Sequence, residues 1–294
     1  MRPDSYTSVV DTDQTIRVAS GRTVGFADYG RPGDTAVIWC HGGPGSRLAP
    51  AYMAGAAGAA GLRLVGIDRP GYGLSTVEPG RTLGGWVPDA LAVADHLGID
   101  RFVTVGTSTG GAFALAVAAL APERVLGVVA CCSMTDMRWE PARATMSRPH
   151  AHAVWDAPDR EAAMAAAVQS HGMDGSKILE SAEGPPFAPS DQAMITGHPW
   201  GRHWLAAVPA TFAQGLAGYT DDRLADGPGW VTFDITDITS PVIVSTAHAT
   251  SSATPYTPDT PPRSCPTQSY ASSTTSATSA SKTRSCPQSS TSSH

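Results

Sequence analysis

Three short segments combine residues that could perform acyl-transfer chemistry. GTSTGG (Gly106–Gly111) sets Ser108 between glycines, after an apolar run and before a stretch of small apolar residues. HGGPGS (His41–Ser46) and DRPGYGLS (Asp68–Ser75) also follow apolar runs. A serine in a tight turn between a strand and a helix exposes its hydroxyl as a nucleophile. Glycines let a backbone turn point its N–H groups at a developing oxyanion.

These patterns predict a role for each candidate residue. Ser108 is the predicted nucleophile, and the backbone N–H of Thr109 is one predicted oxyanion donor. Gly43, in the His41–Gly43 turn, supplies the other, although HGGPGS could equally be a structural turn. Asp68 and Arg69 are either catalytic or hold their loop against the sheet edge, and the second role is favoured.

The elements that must position these turns alternate between strands and helices. Such alternation predicts βαβ units, a mainly parallel sheet with helices on both faces, and ligands at the carboxyl ends of the strands. We predict strands at TAVIWC (35–40), LRLVGID (62–68), RFVTVG (101–106) and VLGVVACC (125–132), with helices at 51–61, 86–97 and 110–120.

Beyond this region the chain changes character twice. The next segment is rich in Ala, His, Trp and Met and resembles a helical lid over the sheet. We predict helices in it at 159–171 and 201–217, with a break at GPPFAP (184–189). The chain then returns through DITDITSPVIV (234–244), an extended entry leading into a predicted buried strand. The predicted division is a core at 15–137, a lid at 138–230, a return to the core at 231–244 and a tail at 245–294.

Composition excludes several classes of protein. The 294 residues carry a net charge of −6 with no basic stripe, which argues against nucleic-acid binding. No apolar run reaches the roughly 18 residues of a membrane helix, and MRPDSYTSVV lacks a signal-peptide pattern, so we expect a cytoplasmic protein. The five cysteines lack metal-ligand spacing, and we expect neither a metal nor an organic cofactor.

HGGPGS, DRPGYGLS, GTSTGG and DITSPVIV together resemble the α/β-hydrolase superfamily, from about residue 15 to residue 244. HGGPG is similar to the branch that contains proline iminopeptidases, although that branch usually carries an aromatic residue where this chain has Thr109. The resemblance implies an α/β-hydrolase fold and hydrolysis of an ester, amide or related bond of a small-molecule substrate through an acyl-serine intermediate. The sequence selects neither a particular substrate nor an oligomeric state.

The same resemblance implies an acid and a histidine after the nucleophile, in that order. Where an HGxxD-like segment is expected, this chain reads STAHATSSATPYTPD. His248, His294 and Asp259 have no element to hold them, and we expect them to be bystanders. Asp136, after the strand that ends near Ser133, is a possible acid or a turn-capping residue. The lid histidines that could approach Ser108 are His150, His152, His171, His198 and His203.

The expected acid and histidine would lie in the last 50 residues, whose composition differs sharply from that of the rest of the chain. They include 15 Ser and 11 Thr but no Leu, Ile, Val, Phe, Met, Trp or Gly, so we predict a disordered tail. An O-glycosylated stalk has similar composition but lacks a secretory signal here. Loss of the final strand and helix should also expose a sheet edge and lower solubility.

Our hypothesis for the origin of this composition is a shift of reading frame. In the shifted frame, the third base of each codon is read with the first two bases of the next codon, and mostly G or C is chosen where the code leaves a base free. The segment that begins at Ser245 can then encode LHGTRDEL, and the segment near Ser276–Lys282 can encode GHLSIED. These two segments resemble the missing acid and base regions. The acid then falls at the Ala249–Thr250 junction and the histidine at Ala277–Thr278.

We predict that sequencing the gene around codons 244–246 finds a position where one base change restores an open, apolar C-terminal region. If no single-base change does so, the tail is a genuine part of the protein.

The sequence therefore predicts a serine hydrolase whose activity is impaired because its acid and histidine are missing. The alternative is a non-catalytic protein of the same fold that binds a small ligand in the pocket under the lid.

Overall fold

The computed structural model describes residues 11–146, 149–177 and 189–246. Within these residues seven strands form one sheet, and they are β1 Asp11–Arg17, β2 Thr23–Tyr29, β3 Thr35–Cys40, β4 Leu62–Ile67, β5 Phe102–Thr107, β6 Val125–Cys131 and β7 Val242–Ser245. Their order in the sheet is β1-β2-β4-β3-β5-β6-β7, with β2 antiparallel to both β1 and β4 and every pair from β4 to β7 parallel.

The mainly parallel sheet with flanking helices is the predicted fold class, and β3 to β6 match their predicted strands to within a residue. β1 and β2 were not predicted. β1 reads DTDQTIR and is only half-buried at alternate positions, so it lacks the apolar run that marks a central strand. In β2, Gly25 interrupts the run of apolar residues that marks a strand. This position has no room for a side chain, because a Cβ there would lie 2.6 Å from Leu74 Cβ.

Three helices pack on the sheet: α1 (Ala54–Ala59), α2 (Val87–His96) and α3 (Thr109–Leu120). α3 follows the predicted nucleophile and is buried along nearly its whole length, which its glycine and alanine side chains permit. The ring of Trp86, which directly precedes α2, meets the ring of Phe113 on α3 edge to face at 5.5 Å. The start of α3 lies against the end of β3, where a Cβ on Gly110 would be 2.0 Å from Cys40 O.

Residues between β6 and β7 form further helices. The helix predicted at 159–171 is present as Arg160–His171, and the Asp159 carboxylate caps it by accepting the Ala162 N–H at 2.9 Å. The helix predicted at 201–217 is wrong at both ends because His198 caps an earlier start and the helix stops at Thr211, near Pro209. GPPFAP lies outside the described residues except for Pro189. The helices are α4 Glu140–Thr145, α5 Pro149–Trp155, α6 Arg160–His171, α7 Pro189–Gly197, α8 Pro199–Thr211 and α9 Ala217–Ala225.

β7 was predicted as a buried strand, and that prediction is wrong. It pairs with β6 in the expected parallel manner, yet Val242, Ile243 and Val244 are 42%, 62% and 53% exposed. The approach to β7 also contains a short 3-10 turn, Ile235–Asp237, rather than a fully extended entry. β7 is exposed because no element in the described ranges covers its faces or its free edge. Apolar strand edges of this kind promote pairing between chains.

Ser245, the first residue of the predicted tail, is the last residue of β7. The disorder, the shifted frame and the positions predicted for residues 247–294 lie outside the described residues. Within the described ranges, no helix combines the length and apolarity needed to cross a bilayer.

We predict that the chain self-associates through β7 and that Ile243→Lys suppresses this association, because a charge on an edge strand opposes pairing with another edge. Light scattering across a concentration series measures the mass, which should rise with concentration in the wild type and stay near the monomer value in the variant. Val231→Lys is the control, since Val231 is 68% exposed but lies in a 3-10 turn outside the sheet. A wild-type chain that remains monomeric contradicts the prediction.

Candidate active site

Ser108 lies at the turn between β5 and α3 with φ 55° and ψ −126°, a backbone conformation that non-glycine residues rarely adopt. Hydrogen bonds on both sides maintain it. The Ser108 N–H donates to Cys131 O at 2.9 Å, and Ser108 O accepts from the N–H groups of Gly111 and Met134 at 2.9 and 3.0 Å. The surrounding structure therefore compensates the strain and holds Ser108 in one position.

The glycines that flank Ser108 are required by close backbone contacts. A Cβ at Gly106 would lie 2.1 Å from Gly110 O, and a Cβ at Gly110 would lie 2.0 Å from Cys40 O. α3 can therefore approach β3 and β5 only when both positions lack a side chain. The GTSTGG spacing thus has a steric cause as well as a chemical interpretation.

The HGGPGS turn lies beside Ser108, as predicted. A Cβ at Gly42 would be 3.8 Å from Ser108 Cβ, and a Cβ at Gly43 would be 3.0 Å from Thr109 Oγ1. The structure thus brings together Ser108, Thr109 and Gly43. Thr109 is the first residue of α3, so its N–H has no acceptor within the helix.

His41 and Arg69 fix the orientation of this turn. The Arg69 guanidinium donates to the carbonyl oxygens of His41 and, at 3.0 Å, of Gly42, while His41 Nδ1 lies 2.7 Å from Gly42 O. A trans peptide points its C=O and N–H in opposite directions. Holding the Gly42 carbonyl against Arg69 and His41 therefore turns the Gly43 N–H away from them.

His41 is fully buried and has a structural role. Its Nε2 accepts the Arg69 N–H at 3.2 Å, and its ring meets Tyr72 edge to face at 4.9 Å. Burial, aided by the Arg69 charge, lowers the pKa of His41 well below its ordinary value. Both ring nitrogens are thus occupied, and His41 is not placed to take a proton from Ser108.

Asp222 on α9 is the residue that sequence reasoning missed. Its carboxylate accepts from Arg69 Nη2 at 2.7 Å, from Arg81 Nη2 at 2.5 Å and from the Tyr72 hydroxyl at 2.9 Å, with no exposure of its side chain. Burial alone raises the pKa of this carboxyl, but the Arg69 and Arg81 guanidiniums outweigh it and hold the pKa below its ordinary value. Asp222 thereby ties α9 to the DRPGYGLS loop.

Arg223, the next residue, reaches the nucleophile turn. Its Nη2 donates to Thr109 Oγ1, and a Cβ at Gly43 would lie 3.1 Å from the same nitrogen. The Arg223 side chain is 6% exposed, and its Nε lies 3.1 Å from Asp226 Oδ2 without the alignment of a hydrogen bond. A buried cation therefore lies beside both predicted oxyanion donors.

Asp68 has the loop-holding role that its motif favours. Its carboxylate accepts from the Arg47 N–H at 2.6 Å, from Arg47 Nη1 at 2.9 Å and from the Leu74 N–H at 2.9 Å. These bonds join HGGPGS to DRPGYGLS. Arg69 likewise donates to carbonyl groups and to Asp222, so both residues position the loops of the site through hydrogen bonds.

Asp136 is partly exposed and caps its own turn. Its oxygens accept from the Arg138 N–H at 2.9 Å and from Arg138 Nε and Nη2 at 3.0 and 2.5 Å. The hydrogen bond from Arg138 lowers the pKa of Asp136. Within the described residues no histidine bonds to Asp136, and the turn-capping interpretation explains all of these contacts.

The lid histidines whose side chains are described form hydrogen bonds away from Ser108. His152 Nε2 lies 2.7 Å from Met146 O, His203 Nε2 lies 2.7 Å from Leu48 O, and His198 Nδ1 accepts the Trp200 N–H at 3.1 Å. His171 is buried beside Ser170 and Tyr219. Nothing is described of the His150 side chain, and His248 and His294 lie outside the described residues. Over the described ranges, Ser108 Oγ has no histidine partner.

Comparison with known proteins agrees with this architecture. A family model described as the alpha/beta hydrolase fold matches residues 35–167. A proline iminopeptidase from Neisseria gonorrhoeae is 32% identical over 117 residues, which is 39% of this chain and 37% of that protein. A protein described as a probable proline iminopeptidase from Leptolyngbya boryana is 30% identical over 117 residues, 39% of this chain and 36% of that protein. The chain thus spans little more than a third of the length of the curated relatives it matches.

Solved structures show the same fold over most of the chain. Epoxide hydrolase A from Mycobacterium thermoresistibile superposes with a TM-score of 0.61 at 17% identity, covering 81% of this chain and 82% of that one. The enol-lactonase from Burkholderia xenovorans gives a TM-score of 0.55 at 18% identity, covering 79% and 80%. The chain has the α/β-hydrolase fold, and residues 35–167 match the family model of that name. The curated proteins that it resembles over 117 residues are proline iminopeptidases.

Asp226, at the end of α9, is a buried acid with an incomplete set of partners. It is 1% exposed, it accepts from Trp155 Nε1 at 3.3 Å, and its Oδ1 has no hydrogen-bond partner among the described residues. Burial raises its pKa to about 7, and the opposing attraction of Arg223 only limits this rise. Because the pKa is higher in the folded chain than in the unfolded one, protonation of Asp226 stabilises the fold at low pH.

We predict that Asp226→Asn becomes progressively more stable than the wild type as pH rises. The stabilisation from Asp226 is present below pH 3.8 and is lost as pH approaches about 7, whereas asparagine does not titrate. The difference in unfolding free energy should grow by up to about 4 kcal/mol over this range, as measured by urea denaturation at a series of pH values. Asp136→Asn is the control, and the same pH trend in both variants refutes the buried-acid assignment.

Proposed function

We propose that this chain carries the active-site framework of a serine hydrolase. Ser108 is the nucleophile, and the N–H groups of Gly43 and Thr109 form the oxyanion site. The scissile bond is an ester, amide or related bond of a small molecule. The fold and its hydrolase relatives support the general class, and the strained backbone of Ser108 at the start of α3 supports the assignment of the nucleophile.

The proposed acylation follows from this geometry. Ser108 Oγ bonds to the substrate carbonyl carbon while the π electrons of the C=O bond move to its oxygen. The resulting oxyanion accepts hydrogen bonds from Gly43 and Thr109, and the N-terminus of α3 stabilises the negative charge. When the C=O bond re-forms, the leaving group departs with its bonding electrons and takes up a proton. Water then cleaves the acyl-serine by the same sequence of steps.

The proposed reaction requires an acceptor for the proton of the Ser108 hydroxyl. In a complete triad a histidine accepts it and an acid orients that histidine. Ser108 has no such partner over the described ranges, so its proton passes to solvent and its hydroxyl is a weak nucleophile. We therefore propose an impaired enzyme, whose oxyanion site and substrate binding supply a residual rate of roughly 10³–10⁴-fold over water.

Residues 138–230 are proposed to act as the lid of this site. His203 on α8 bonds to Leu48 O, next to HGGPGS, and Trp200 and Trp204 stack at 6.3 Å on the same helix. Gly45 and Ser46 line a small cleft with these aromatic side chains. This apolar surface favours an uncharged group of the substrate next to the end of the HGGPGS turn.

We predict that a fluorophosphonate labels the wild-type chain once, at Ser108, and that Ser108→Ala abolishes the labelling, as read by intact-protein and peptide mass spectrometry. Ser133→Ala is the matched control because Ser133 also lies beside α3, with its hydroxyl donating to Met134 O at 2.8 Å. Its labelling should equal that of the wild type. Labelling that persists in Ser108→Ala refutes the nucleophile.

The pH dependence of labelling tests the impairment separately. Without a histidine base, the rate should rise about tenfold per pH unit with the serine alkoxide fraction and show no plateau near neutrality. A plateau with a midpoint between about pH 6 and 7 reveals a histidine base and overturns the impaired-enzyme proposal. If no labelling occurs but a small ligand binds equally to wild type and Ser108→Ala, the chain is a binding protein of this fold.

A further inference from the structure

We infer that Arg223 is a positioning residue of the Ser108 site, whose positive charge stabilises the oxyanion through Thr109. This inference rests on the proposed function. It assigns a role in that reaction to a lid-helix residue that none of the chemical motifs contains.

The first observation is geometric. Arg223 Nη2 donates to Thr109 Oγ1 and lies 3.1 Å from the place where a Cβ on Gly43 would stand. Thr109 and Gly43 are the two proposed oxyanion donors. The guanidinium therefore lies close to both of the proposed oxyanion donors. Its charge adds to that of the helix N-terminus.

The second observation concerns charge balance. Arg69 and Arg81 share the Asp222 carboxylate through hydrogen bonds. Arg223 faces Asp226 instead, and its Nε lacks hydrogen-bond alignment with that carboxylate. The pKa of Asp226 is about 7 because of its burial, so this carboxyl is partly neutral at physiological pH. Among these three cations, Arg223 is the one that makes no hydrogen bond to a carboxylate within the described residues.

The third observation is burial. Arg223 is 5% exposed and Thr109 is fully buried. Water screens charges poorly in such surroundings, so a cation that is only partly compensated acts over a longer distance than it would at the surface. Arg223 itself is too enclosed to bind substrate directly, which is why its effect passes through the turn that holds Thr109.

The test compares two ketones with the same octyl chain. A trifluoromethyl ketone adds Ser108 Oγ to its carbonyl carbon, the C=O π electrons become an alkoxide, and the serine proton goes to solvent. The matching methyl ketone binds without forming this oxyanion. Affinities come from competition with fluorophosphonate labelling, and their ratio reports oxyanion stabilisation independently of general binding.

We predict that Arg223→Met lowers the preference for the trifluoromethyl ketone by roughly tenfold, less than the 10²–10³ typical of removing a direct donor, while methyl ketone affinity stays near the wild-type value. Arg223→Lys should retain most of the preference because it keeps the charge. Thr109→Val should lose part of it, since it removes the acceptor of Arg223 without removing the backbone N–H. Arg160→Met is the control, because Arg160 binds Asp221 on the same helix and does not contact Thr109.

Each outcome decides the question. An unchanged ratio in folded Arg223→Met overturns the inference while leaving Ser108 as the nucleophile. If Arg223→Met does not fold, an unchanged ratio in Thr109→Val overturns it. Equal losses in Arg160→Met and Arg223→Met assign Arg223 to general packing. If the wild type shows no preference and no labelling at Ser108, the proposed function itself fails, and this inference fails with it.

Discussion

The buried ion pair between Arg69 and Asp222 is the interaction on which the arrangement of the site depends. Asp222 belongs to α9, whereas Arg69 belongs to the loop after β4, and both side chains are fully enclosed. Two charges removed from water are tolerated only when each finds several partners. Arg69 meets this requirement by also donating to the carbonyls of His41 and Gly42. The pair therefore fixes the helical segment, the loop and the proposed oxyanion turn in one network.

The network also explains why removing one member should affect distant parts. Loss of a single partner from a buried pair leaves the other charge uncompensated, at a cost of about 3–5 kcal/mol. Arg81 and Tyr72 share the Asp222 carboxylate, so the cost would spread to the loop that carries them. Orientation of the Gly43 N–H is consequently coupled to residues of α9 that are more than 170 positions away in sequence.

Much of the core could be predicted from sequence because its signals are local. β3 to β6 are apolar runs that end in glycine-containing turns, and the strained Ser108 turn requires flanking glycines that are visible in GTSTGG. Asp222 and Arg223 could not be found in this way. GYTDDRLAD reads as an exposed, charged helix, and its burial depends on cations that reach it from Arg69 and Arg81. Charge pairing across the fold leaves no periodic pattern in either segment.

The exposure of β7 follows from its position at the edge of the described sheet. In a parallel sheet, each strand is shielded by its neighbour and by the helices of the connecting segments, and β7 lacks both on its outer side. The carboxyl ends of strands are also where a fold of this type gathers its functional groups. The base that the proposed function lacks over the described residues belongs at this same carboxyl edge of the sheet. The positions of Ser108, Gly43 and Thr109 depend on β3, β5, α3 and α9, all of which precede β7 in the chain.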